Sequence, residues 1–100
     1  MMHPIEATLR MLANNGPPEV VERTDVEGPI ERVSTIDTEE GIGYETALLI
    51  RDENWHPVER YEMREQALAG HHRWVAEAPT LTRVIDIGLP GYAEKTIIEL

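Results

Sequence analysis

The chain is 100 residues long and carries nine Lys and Arg against nineteen Asp and Glu, a formal net charge of −10. That length makes one domain, 1–100, and buries roughly 60–65% of the unfolded surface. An acidic balance repels phosphate, which argues against nucleic-acid and anionic-membrane partners, and the absence of cysteine excludes disulfides, thiolate chemistry and cysteine-held metals.

The charge is uneven. Residues 19–53 hold eleven acids against Arg23, Arg32 and Arg51, so this third of the chain carries most of the excess. A solvated acidic surface is the plain reading and a recognition patch for a basic partner the sharper one. With no Phe, the core is expected to come from Ile, Leu, Val, Met and the two Trp. No apolar run approaches the roughly 18 residues of a membrane span. The opening MMHPIEATLRMLA breaks its apolar pattern with Glu6 and Arg10, so it does not read as a signal peptide.

In chain order, residues 4–14 read as a short helix. Pro4 suits its first position, Ile5, Leu9 and Leu12 share a face, and Gly16-Pro17-Pro18 stops it. Residues 19–27 are a candidate polar edge strand, broken at Gly28-Pro29, and residues 30–37 a second strand. The acidic loop 38–43 follows. Its two glycines are too sparse for a phosphate cradle.

The chain is organised around residues 44–78, which read as strand, turn, strand and helix. Tyr44, Thr46, Leu48 and Ile50 alternate with Glu45, Ala47, Leu49 and Arg51, the pattern of a sheet with one face covered. Residues 51–54 are a turn. Trp55 to Tyr61 return as a strand in which Pro57 demands an edge or a bulge. Residues 63–78 form the main helix, with Met63, Ala67, Leu68, His71, Trp74, Val75 and Ala78 on one arc. Gly70, at the border of that arc, costs about 1 kcal/mol against Ala and would allow close approach to a backbone. Pro79 ends the helix. Residues 82–100 read as a hairpin around Pro90-Gly91. The fold class is therefore α+β: a small antiparallel sheet with one main helix packed across it, a short N-terminal helix and a C-terminal hairpin.

Chemistry is sparse. Neither His71 nor His72 has a ligand-type residue three or four positions away, so a helical metal pair is not expected. His71, on the apolar arc, reads as a core histidine bonded to backbone or to a strand side chain, and His56 and His3 could join a site only through tertiary placement. The acids sit in polar runs and turns. Asp86, between Ile85 and Ile87, is the exception, and a solvent-facing strand position accounts for it. Ser34 and Thr46 lack a base or an elbow motif. No catalytic, cofactor-binding or metal residue is assigned, and no cofactor is expected. Candidates for a partner-contacting surface are Trp55, His56, Ile5, Leu9, Leu12 and Ile97.

The segments Val33-Ser34-Thr35, Glu45-Thr46-Ala47-Leu48-Leu49, Arg60-Tyr61 and Arg64-Glu65-Gln66-Ala67-Leu68-Ala69-Gly70-His71 resemble a group of small tailed-phage and prophage proteins of unassigned function. The likeness covers residues 32–78. Met63 and Gln66 depart from that pattern, which usually has Ser or Thr and often Glu there, so the helix cap is expected from a neighbour such as Glu62. The resemblance implies a phage gene product and no reaction. The expectation that follows is a non-enzymatic structural or assembly protein of the virion, such as a head decoration, minor capsid or tail component. It would be assembled in the host cytoplasm and held by contacts with other phage structural proteins in many copies. The alternative is an acidic inhibitor of a host protein that mimics nucleic-acid charge.

Overall fold

The computed structural model describes residues 19–38, 43–51, 53–91 and 94–100. The helix expected over 4–14, with Ile5, Leu9 and Leu12, lies outside the described residues. Four strands, β1 (Glu19–Asp25), β2 (Ile30–Asp37), β3 (Tyr44–Ile50) and β4 (Trp55–Tyr61), form one antiparallel sheet in the order of the chain. The main helix α1 (Arg64–Glu77) follows, then a single 3₁₀ turn (Ala78–Thr80). The strands β5 (Arg83–Asp86) and β6 (Thr96–Glu99) pair with each other as a separate two-stranded ribbon.

Sequential antiparallel neighbours need only short connections, and the turn residues supply them. Gly28 turns at φ 109° between β1 and β2. Between β3 and β4, Glu53 takes a left-handed φ of 65° and its N–H donates to the Ile50 carbonyl at 2.8 Å. Pro57 behaves as its chemistry requires. β4 is an edge strand, and the register slips between Thr46 and Ala47, which face Glu59 and Pro57, leaving Val58 as the bulged residue.

The sheet is covered more fully than a one-sided alternation predicts. Four consecutive residues are buried in β2 (Val33 to Ile36) and four in β3 (Glu45 to Leu48), so both faces of these central strands are shielded. The apolar core is Ile30, Val33, Leu48, Ile50, Val58, Ala78 and Val84, with Trp74, Val75, Leu81, Ile98 and Leu100 packed around it. It joins the sheet, the C-terminal half of α1 and the inner face of the ribbon.

Four local expectations are corrected. The helix cap is not Glu62: the Met63 N–H, at the N-cap, donates to the Gln66 side-chain oxygen at 3.2 Å, so the capping reach comes from Gln66. Met63 itself stands outside the packed arc and is exposed. The C-terminal hairpin does turn at Pro90-Gly91, with Gly91 at φ 85°, but inside a long connection, since nine residues separate Asp86 from Thr96. The fourth concerns which way β5 faces. Val84 and Asp86 are buried, whereas Ile85 is 48% exposed. Asp86 thus points inward, because a buried histidine awaits it there.

No helix among the described residues is long and apolar enough to cross a membrane.

Candidate functional site

Two buried polar networks and one exposed apolar face stand out. The first network lies between α1 and the sheet. His71 is fully buried, at 0% exposure. Its Nδ1 lies 2.7 Å from Thr35 Oγ1 and its Nε2 2.9 Å from Thr24 Oγ1. Thr35 meets its cross-strand partner Thr46 at 2.6 Å, and Tyr61 Oη lies 3.0 Å from Thr46 Oγ1 and 2.9 Å from Glu59 Oε1. The Trp74 indole N–H donates to the same Glu59 oxygen at 2.8 Å, and Arg73 pairs with it as well.

Counting protons orients the chain. An ionised Glu59 only accepts, so Tyr61 gives it its single proton. Thr46 is then left to donate to Tyr61, Thr35 to Thr46, and His71 Nδ1–H to Thr35. His71 Nε2 faces both the Thr24 hydroxyl and the Glu22 carboxylate. This file of hydrogen bonds touches all four strands under the helix. The titration tendencies agree with it. Burial lowers the His71 pKa from 6.5, with Glu22 opposing and His72 assisting, which favours the neutral ring. Burial pushes Tyr61 up to about 12, so its hydroxyl stays a donor. Glu59 falls below the usual carboxylate range: burial pushes it upward, but its bonds from Trp74, Tyr61 and Arg73 together outweigh that.

Gly70 is where the helix comes closest. A Cβ there would lie 2.3 Å from the Tyr61 hydroxyl and 2.4 Å from its ring. The close approach is to an aromatic side chain, not to a backbone.

Glu22, unmarked in the sequence, sits at the end of this file. Its Oε2 is 3.2 Å from His71 Nε2 and 2.8 Å from His72 Nε2. Among the described residues, no group of three His, Cys, Asp or Glu is placed to hold a metal ion.

The second network is charged. Alternation puts Glu45 on the face opposite Thr46. Glu45 is 1% exposed and pairs through Oε2 with Arg60 Nε at 2.8 Å, while its Oε1 has no hydrogen-bond partner among the described residues. Burial raises its pKa, the Arg60 charge and hydrogen bond pull it back, and Asp86 adds to the rise. Arg60 also reaches the Gly88 carbonyl. His56 Nδ1 lies 2.8 Å from Asp86 Oδ2, both side chains being buried, and Asp86 Oδ1 accepts the Gly88 N–H at 2.8 Å. With Ile87 N–H donating to the Pro57 carbonyl at 2.9 Å, these bonds fasten the end of β5 to the β4 edge.

His56 is therefore not the surface anchor the sequence suggests. It is an interior group that holds the ribbon in place. A histidine oriented by a carboxylate is half of an acid–base arrangement. Two grooves among the described residues are lined by neither His56 nor Asp86. One groove, of about 410 Å³, runs along the β4 edge beside Gln66, Ala69, Gly70 and Arg73. The other, also about 410 Å³, lies between α1 and the ribbon and is lined by Val58, Trp74, Leu81, Ile85, Ile87 and Lys95, among others.

Of the remaining surface candidates, Trp55 is half-buried opposite Leu49. Ile97 is 58% exposed and sits directly across from Ile85. Sequence reasoning passed over Ile85 by assigning it to the inner face. The hydropathy of RVID gives no sign of the reversal, because the inward residue is an acid.

No family model matches the chain, and neither a curated protein nor a solved structure matches it.

Proposed function

We propose that this chain is a non-enzymatic structural or assembly protein of a tailed phage, working in the virion through contacts with other phage proteins. The supporting observation is the exposed Ile85–Ile97 pair on the outer face of the ribbon, beside the groove walled by Trp74 and Leu81. A cross-strand pair of large aliphatics open to water loses free energy until something covers it. The ribbon is fastened to the sheet by buried hydrogen bonds, so the face is presented in a fixed orientation. The resemblance over residues 32–78 supplies the setting. Its motif residues Thr35, Thr46, Tyr61, Gly70 and His71 build the first network, and Glu45 and Arg60 belong to the second. These residues position α1 and the ribbon. That is an architectural task and needs no substrate.

The test is mass spectrometry of purified particles from a phage or induced prophage encoding the chain. Recovery at a fixed ratio of many copies per particle is the expected result. Absence from particles, with salt-sensitive capture of a basic host protein, would replace this reading with that of an acidic inhibitor.

A further inference from the structure

We propose that the outer face of the β5–β6 ribbon binds a second copy of this chain across a two-fold axis running along the ribbon. The inference rests on the reading above and names the partner of that surface. Two adjacent cross-strand pairs define the face. Arg83 stands opposite Glu99, and Ile85 opposite Ile97. Residues two apart on a strand share a side, so Arg83 and Ile85 face outward together on β5, and Ile97 and Glu99 on β6. All four are exposed, and the Arg83–Glu99 contact within one chain is loose, at 4.0 Å with 64% and 71% of the two side chains open to water.

This arrangement is its own complement. A closed two-fold interface requires that each contact be returned by its mirror contact. Rotation about an axis along the ribbon lays β5 of one copy over β6 of the other. Arg83 of each copy then meets Glu99 of its neighbour, and Ile85 of each meets Ile97 of its neighbour. Two ion pairs stand side by side at one end of a cluster of four isoleucines. The chain's net charge of −10 disfavours self-association almost everywhere else. This face is an exception, because Arg83 and the chain's single lysine, Lys95, both lie along it. The patch is small, so the expected association is weak and concentration-dependent, and it strengthens when added salt screens the general repulsion.

The experiment is analytical ultracentrifugation of the full chain over a concentration series, with variants Ile97→Lys, Arg83→Glu, Glu99→Arg and the double variant Arg83→Glu/Glu99→Arg. The mass is expected to rise from 11.4 kDa towards twice that value as concentration increases. Ile97→Lys and each single charge reversal should abolish the rise, and the double reversal should restore it, since it exchanges the two charges without changing the pairing. Circular dichroism of each variant confirms that the fold persists, and Ile97, being exposed, carries no packing role that would confuse the result. A monomer at every concentration overturns the proposal. So does a dimer indifferent to Ile97→Lys, or a double variant that stays monomeric like its parents. Each of these outcomes leaves the particle measurement untouched, and a chain missing from particles would leave the dimer standing.

Discussion

At the scale of single residues, two positions carry most of the specificity. Gly70 is the clearer. Alanine would gain about 1 kcal/mol of helix propensity, but its Cβ would enter the Tyr61 ring, and overpacking of this kind costs about 1–3 kcal/mol. Gly70→Ala should therefore give no gain and cost the chain up to about 2 kcal/mol, read as a lower urea midpoint, whereas a solvent-facing glycine would give a gain. His71 sets a pH response. Its folded pKa lies below 6.5 because burial disfavours the charged ring, so the unfolded chain takes up a proton that the folded chain refuses. The neutral ring's contribution is present above pH 6.5 and is lost as pH falls from 6.5 towards the depressed folded value. Glu22 faces this ring from β1 and His72 from the helix, and both remain in the variant used to isolate the effect. Wild type should lose stability through this window faster than His71→Gln does, whatever the variant's starting stability. Parallel pH profiles from urea titrations would refute the assignment. The arc of 63–78 already placed His71 inside the protein. Nothing in the sequence pointed to Thr24 or Glu22, because a strand residue's partner on a helix dozens of positions later leaves no local pattern.

At the scale of elements, the strands declare themselves unequally. β2 and β4 were legible to the residue, since Gly28-Pro29 sets off the first and the turn at 51–54 the second. β5 was located and read inside out. Between RVID's two possible faces, hydropathy chooses isoleucine, but the fold chooses Val84 for the core and Asp86 for His56. A buried histidine–carboxylate pair reverses the ordinary rule only when both partners arrive together, and the two are thirty positions apart. Asp86→Ala removes the carboxylate that both His56 Nδ1 and the Gly88 N–H meet, a loss of about 1–3 kcal/mol. Hydrogen exchange should then accelerate in residues 83–86 and 96–99 well before it does in β2 and β3, which keep their cross-strand ladder. Uniform acceleration across all six strands would mean that the ribbon and sheet open as one unit and that the pair does not act as a local fastening.

At the scale of the whole molecule, the parts share one consequence. A polar file under the helix and a charged cluster at the β4 edge hold four strands, a helix and a ribbon in register. The ribbon in turn presents two isoleucines and a pair of opposite charges to the outside. The net charge of −10 opposes self-association in general, and the proposed ribbon contact has to outweigh it. The account stands on that surface being occupied where the protein works. Lys95 lies on the wall of the groove beside Ile85 and is the chain's single lysine, so amine-reactive cross-linking of intact purified particles reads the site directly. The prediction is cross-linked peptides joining Lys95 to a second copy of the chain or to another particle protein, with those links lost in particles assembled with Ile97→Lys. Particles that contain the chain with Lys95 freely modified and never joined to a neighbour would contradict it.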